Sequence, residues 1–138
     1  MIRAASVEDL AHIIELAARR HAASGAPGVF DAGVLARSLR QHVLPGGGCF
    51  VSDRGVIAGM LAPLWYDEAY RVAFEWFWWA EDGRGRDLLA AFEAWAVALG
   101  ADEIRMSAVD AHRGGAVSRV LVGRGYQPFE TSFRREAA

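Results

Sequence analysis

The apolar residues of this chain change period from segment to segment, and each change predicts an element. Residues 2–5 read as a short first strand. Ser6 follows, with Asp9 at the third position beyond it, the pattern of a capping box at a helix start. Leu10, Ile13, Ile14, Ala17 and His21 then recur at helical spacing until Gly25 and Pro27. Asp31 is the expected N-cap of a second helix, with Val34, Leu35, Leu39, His42 and Val43 as its stripe. Pro45-Gly46-Gly47-Gly48 stops it. Residues 49–52 read as a strand, Asp53-Arg54-Gly55 as a tight turn, and 56–66 as the returning strand, irregular near Pro63. Asp67-Glu68-Ala69 is the next expected turn.

Residues 71–80 are the most apolar stretch, and from Phe74 to Trp79 only Glu75 is not aromatic. Such a run predicts a central strand covered on both faces. Simple alternation places Trp76 and Trp78 on one face and Glu75, Phe77 and Trp79 on the other. After Gly83-Arg84-Gly85 comes a periodic helix with Leu88, Phe92, Trp95 and Leu99 on one stripe, Leu89 and Ala96 beside it, and Gly100 at its end. Residues 102–109 read as a strand, with Ile104, Met106 and Ala108 alternating against Arg105 and Ser107. Residues 115–124 read as the last helix, stopped by Gly125-Tyr126. Phe129, Thr131 and Phe133 alternate as in a closing strand or hairpin. The order β-α-α-β-β-β-α-β-α-β(β) predicts an α/β fold with a mixed, twisted sheet flanked by helices. Its 71–109 unit should be a right-handed parallel crossover, and the hairpins before it antiparallel.

Composition narrows the class. A length of 138 residues fits one domain spanning 1–138. With 53% hydrophobic and 23% charged residues the chain is expected to be globular. The formal net charge of −2 argues against a general nucleic-acid binder. All basic residues are Arg and there is no Asn, which reads as the codon usage of a GC-rich genome. The single Cys49 excludes an internal disulfide and a Cys-based zinc site, and it is expected to be a small buried residue. His12, His21, His42 and His112 are too scattered to predict a metal site, so no metal is expected. Ser118 lacks the context of a nucleophile elbow. The uncharged stretches 41–52 and 55–66 are too short to span a bilayer, and the first residues lack the apolar core of a signal peptide. The expectation is a soluble cytoplasmic protein with no membrane partner.

Two features carry chemistry. Gly83 and Gly85 lie between a strand and a helix N-terminus, where backbone N–H groups can approach an anion such as a pyrophosphate. Arg84 and Arg86 add positive charge. The alternative is an ordinary strand-to-helix turn. Glu75, a carboxylate in an aromatic strand, must face water, a partner or a cleft. It is either a general base or the salt-bridge partner of a neighbouring arginine such as Arg105.

Several motifs in order resemble the GNAT superfamily of acyl-CoA-dependent N-acetyltransferases, over nearly the whole chain. They are Ile2-Arg3-Ala4-Ala5-Ser6-Val7-Glu8-Asp9, the hairpin Val51-Ser52-Asp53-Arg54-Gly55-Val56-Ile57-Ala58-Gly59, and the turn Gly125-Tyr126-Gln127-Pro128-Phe129-Glu130. Trp78-Trp79-Ala80 before a glycine loop and Leu88-Leu89 resembles a short variety found in phages and prophages. The family's phosphate loop reads Arg/Gln-x-x-Gly-x-Gly/Ala. Here Ala80-Glu81-Asp82-Gly83-Arg84-Gly85 keeps both glycines, replaces the leading residue by Ala80, and adds two carboxylates that should repel a phosphate.

The resemblance implies acetyl transfer from the cosubstrate acetyl-CoA to a primary amine by direct attack in a ternary complex. The acceptor could be a small molecule, a protein or a modified nucleoside. Gly83, Arg84, Gly85 and Arg86 would hold the pyrophosphate, and Trp78, Trp79 and Ala80 would align the pantetheine and supply an oxyanion N–H. Glu75 would be the base. The family's usual acid, a Tyr, is replaced by Leu121, with His112 and Ser118 nearby in sequence and Tyr126 read as packing. Residues 22–32 correspond to a lid over the acceptor. The alternative reading is a catalytically weakened module that binds acyl-CoA or another protein. Phe129, Phe133 and the aromatic strand are candidates for a homodimer interface or for internal packing.

Overall fold

The computed structural model describes residues 1–109 and 114–137. Five strands form one sheet in the order β1-β2-β3-β4-β5. They are β1 (Arg3–Ala4), β2 (Cys49–Ser52), β3 (Gly55–Leu64), β4 (Asp67–Ala80) and β5 (Glu103–Arg105). The first four pair antiparallel and β4 pairs parallel to β5, so the sheet is mixed, as the element order predicts. The helices are α1 (Leu10–Ser24), α2 (Ala32–Ser38), α3 (Gly85–Ala98) and α4 (Gly114–Gly123). A π-helical turn (Leu39–Val43) and a 3-10 turn (Leu44–Gly46) extend α2 toward β2.

The period-2 pattern of β3 sorts its side chains onto two cores. Val56 and Ala58 join Leu10, Ile13 and Leu16 of α1 and Leu39 and Val43 beyond α2. Ile57 joins Leu88, Leu89, Phe92 and Ala96 of α3 and Leu121 of α4. Thus α1 and α2 cover one face and α3 and α4 the other. The first helix is entered through a 3-10 turn (Val7–Asp9) in which the Asp9 carboxylate accepts the Ser6 N–H at 2.9 Å and holds Arg3 at 2.6 Å. Cys49 is buried, and burial pushes its thiol up to about 12, which leaves it inert.

The structure departs from simple periodicity in three places. First, β4 carries a bulge. Ala58 opposes Phe77 but Gly59 opposes Glu75, which leaves Trp76 as the extra residue. Trp76 therefore packs with Phe77 and Trp79 against the α1 core, while Trp78 packs on the α3 side. The expected sharing of a face by Trp76 and Trp78 is not found, because the bulge resets the alternation between them. Second, the expected turn at Asp67-Glu68-Ala69 is already strand, and the reversal falls at Trp65-Tyr66. Third, β5 ends at Arg105, and 126–137 contains no strand. Phe129 instead lies under the Arg105 guanidinium, 4.8 Å from ring centroid to carbon, and Phe133 is exposed. Alternation alone gave Phe129, Thr131 and Phe133 no ladder to join.

Gly59 makes the bulge geometrically possible. A Cβ there would lie 2.3 Å from the Phe74 carbonyl oxygen and 2.6 Å from the Phe92 ring. Neither neighbour can retreat without disturbing the β4 backbone or the α3 core. Gly59→Ala is therefore expected to destabilise the fold by about 1–3 kcal/mol or more in denaturant unfolding. Gly46→Ala, whose Cβ meets nothing within 4 Å, should stay within about 0.5 kcal/mol of the parent. Equal effects of the two substitutions would contradict this packing.

Candidate active site

The site forms where β4 outruns its parallel partner. The β4–β5 ladder covers Val72 to Phe74 and stops. Beyond it the chain leaving β5 diverges, and its only described tie to β4 is the Ser107 N–H, which donates to Glu75 Oε1 at 3.0 Å. A cleft opens there. Its walls are Arg20 and Ser24 of α1, Glu75, Trp78 and Trp79 of β4, and on the far side Ser107, Val109 and Val117. The volume of this open cleft is about 50 Å³, against the roughly 10–15 Å³ that one water requires.

Strand geometry fixes which backbone groups face this opening. The Glu81 N–H donates to the Arg54 carbonyl at 2.8 Å, on the β3 side. Alternation then turns the N–H groups of Trp78 and Ala80 to the opposite side, where no described strand pairs with them. The Trp79 N–H is turned toward β3, and its side chain lines the cleft. Of the three residues expected to meet a pantetheine, two thus face the gap by backbone and the third borders it by side chain.

Glu75 is half-buried. Desolvation raises its pKa from the ordinary carboxylate value, against the opposing pull of the Ser107 N–H and the Arg20 charge. It is not the partner of Arg105, which pairs with Glu103 instead. The salt-bridge alternative offered by the sequence is therefore not the one the fold adopts.

The loop that follows β4 is tightly held. Gly83 has φ +75, a left-handed conformation that favours glycine, with nothing near its Cβ position. Asp82 accepts the Ser52 hydroxyl at 2.7 Å and the N–H groups of Arg54 and Arg84 at 2.9 and 3.2 Å. Glu81 accepts Arg19 at 2.6 Å, Arg54 at 2.8 Å and the Trp79 indole N–H at 2.8 Å. Both carboxylates expected to repel a phosphate are thus tied back into the protein. The Arg84 side chain reaches Asp87 at 2.9 Å, so its charge is shared, while Arg86 is exposed. The Trp78 indole donates to the Gly85 carbonyl at 3.0 Å and joins the strand to the start of α3. The first-turn N–H groups of α3 have no intrahelical acceptor, as at any helix start.

Arg20 and Ser107 did not emerge from the sequence as site residues, whereas Ser24 falls within the 22–32 segment expected to cover the acceptor. Arg20 stands beside Arg19 on α1, and nothing in that doublet says which one faces a cleft. Ser107 acts through its N–H, which no side-chain pattern can report. Leu121, at the position of the expected acid, is buried in the α3 core. The Tyr126 hydroxyl is buried without a hydrogen-bond partner among the described residues. His112 lies outside the described residues, and Ser118 is exposed on α4.

Against known proteins, no family model matches the sequence and no curated protein matches it. Solved structures do. A predicted acetyltransferase from Clostridium acetobutylicum, solved with acetyl-CoA, superposes with a TM-score of 0.74 at 14% identity, covering 99% of this chain and 95% of that one. The aminoglycoside N-acetyltransferase AAC(6')-Iy in complex with CoA gives 0.70 at 16% identity, with 100% and 95% covered. A Trypanosoma brucei acetyltransferase gives 0.68 at 14% identity, with 99% and 98% covered. The fold is therefore one shared with acetyltransferases along essentially the full length of each chain. It is also the mixed α/β arrangement that the motif order implied.

Glu81 offers a test of how the loop is held. The Trp79, Arg54 and Arg19 bonds depress its pKa from the ordinary 4.5 to about 2. A carboxylate held below its unfolded value contributes stability above that value and loses it as pH falls toward the folded one. Glu81→Gln should therefore lower the melting temperature at neutral pH, and the gap should close between about pH 4.5 and about pH 2. A gap independent of pH would show that charge on Glu81 does not hold the loop.

Proposed function

We propose that this chain is a GNAT-type N-acetyltransferase that moves the acetyl group of acetyl-CoA to a primary amine. The observation that carries this reading is the parting of β4 from β5 beside a desolvated carboxylate. The free edge at Trp78 and Ala80 gives an extended amide chain such as pantetheine a strand-like partner, with the phosphates toward the α3 N-terminus and Arg86. Gly83, Arg84 and Gly85 shape that end, with Arg84 already engaged by Asp82 and Asp87. The likeness to structures solved with acetyl-CoA and with CoA supports the same cosubstrate.

In this reading Glu75 keeps one oxygen on the Ser107 N–H and offers the other to the acceptor amine or to a bridging water. The amine nitrogen attacks the thioester carbonyl, and its proton passes to Glu75. The C–N bond forms, the C–S bond breaks, and the electron pair leaves with the CoA sulfur. An N–H of Trp78 or Ala80 faces the side where the oxyanion develops. A thiolate is a fair leaving group, so Leu121 in place of a tyrosine is compatible with turnover. The Leu121 position also supports a second reading, a weakened module that binds acyl-CoA without efficient transfer.

Glu75→Gln decides between them. The transferase reading predicts a loss of about 10²–10⁴-fold in kcat/KM near neutral pH. The loss should shrink as pH rises toward the amine pKa, where the acceptor loses its own proton. Because the Glu75 pKa is raised, the wild-type rate should fall away on the acid side at a higher pH than an ordinary carboxylate would give. Unchanged turnover in the variant would remove Glu75 from the mechanism. Acetyl-CoA binding with no transfer to any amine by the parent would favour the module.

A further inference from the structure

The cleft contains a charge that the acetyl-transfer reading does not use. Arg20 lines it from α1, across from Glu75. It is half-buried, and among the described residues it makes no hydrogen bond and no ion pair within 4.0 Å. Every other described arginine either holds a carboxylate, as Arg19 holds Glu15 and Glu81, or is exposed to solvent. A guanidinium withdrawn from water without a counter-ion is unfavourable, and proteins ordinarily pair it. Arg20 has Glu75 within electrostatic reach but forms no ion pair with it, and one Glu75 oxygen accepts the Ser107 N–H. Ser24 cannot complete Arg20 either, since its hydroxyl donates to the His21 carbonyl and accepts the Ala26 N–H.

The cleft therefore presents a carboxylate on β4 and, on α1, a guanidinium with no partner among the described residues, and Trp78 and Trp79 also line it. A simple monoamine would satisfy one and leave the other without a partner. A molecule with an ammonium at one end and a carboxylate beside it would satisfy both, the carboxylate by the two-pronged pairing that guanidinium favours. Resting on the acetyl-transfer reading for the fate of the amine, we infer that Arg20 binds the carboxylate of the acceptor and that the acceptor is a small amino acid-type zwitterion. The α3 end of the site serves the cosubstrate phosphates, so Arg20 belongs to the acceptor side.

The test uses matched probes that differ only in the carboxylate: phenylalanine against 2-phenylethylamine, leucine against isopentylamine, alanine against ethylamine. The full-length protein with acetyl-CoA should acetylate the carboxylate-bearing member of at least one pair with the higher kcat/KM. Arg20→Gln should cut that ratio at least about tenfold through KM, and Arg20→Lys should restore part of it. A merely structural role for Arg20 would lower both members of each pair together and overturn the proposal. So would a preference of the parent for the bare amines. A fall in CoA affinity in Arg20→Gln would place the guanidinium on a phosphate and overturn it equally.

Binding of 3-phenylpropionate, a carboxylate with no amine, is titrated into the CoA-saturated protein as a second arm. Binding by the parent that Arg20→Gln loses supports the carboxylate site even if no amine is ever acetylated. In that case the transferase reading fails and the site stands. Absence of both binding and discrimination overturns the inference.

Discussion

Everything in this site depends on one constraint of backbone packing: β4 must bend where its parallel partner leaves it. Gly59, Phe74 and Gly48 meet there without side chains between them. A Cβ on Gly59 would strike the Phe74 carbonyl at 2.3 Å, and one on Gly48 would strike the Gly59 carbonyl at 2.2 Å. That close approach lets β4 gain the extra residue Trp76 and still keep its ladder to β3 on both sides of the bulge. The bulge then sets which side chains reach the core and which reach the cleft. Without it, Trp76 and Trp78 would share a face and the wall of the cleft would be composed differently.

The electrostatics around this bend are sorted by partner. Glu81 and Asp82, which look hostile to a phosphate when read as bare charges, are absorbed by Arg19, Arg54, Ser52 and backbone N–H groups. They act as the staples of the loop. Glu75 is treated differently. It receives one backbone N–H and, among the described residues, no cation in contact, and desolvation is the largest influence on its titration. A carboxylate that must carry away a proton near neutral pH benefits from that balance. On the α1 wall of the same cleft, Arg20 has no ion-pair partner among the described residues.

Much of the architecture was legible in the sequence because burial follows period. The α1 and α3 stripes are the faces that pack in the two cores, and the element order led directly to the mixed sheet. What escaped depends on contacts between distant residues. The Trp76 bulge needs Gly59 on a neighbouring strand, and simple alternation cannot see it. The Phe129–Phe133 pattern looks like a strand, yet β5 offers only a short ladder and Arg105 takes Phe129 as a ring partner. In the site, Glu75 stood out as the one acid in an aromatic run. Arg20 did not, because its place on the cleft and its lack of a partner among the described residues are visible only in the fold.

The central claim is that the edge of β4 and the turn into α3 hold an acyl-CoA. Calorimetric titration of the purified protein with acetyl-CoA and with CoA tests it most directly. The account predicts saturable one-to-one binding of both in the micromolar range. No heat with either ligand at millimolar concentration would mean that the loop from Ala80 to Gly85 holds no such cosubstrate, and the transferase account would fail with it.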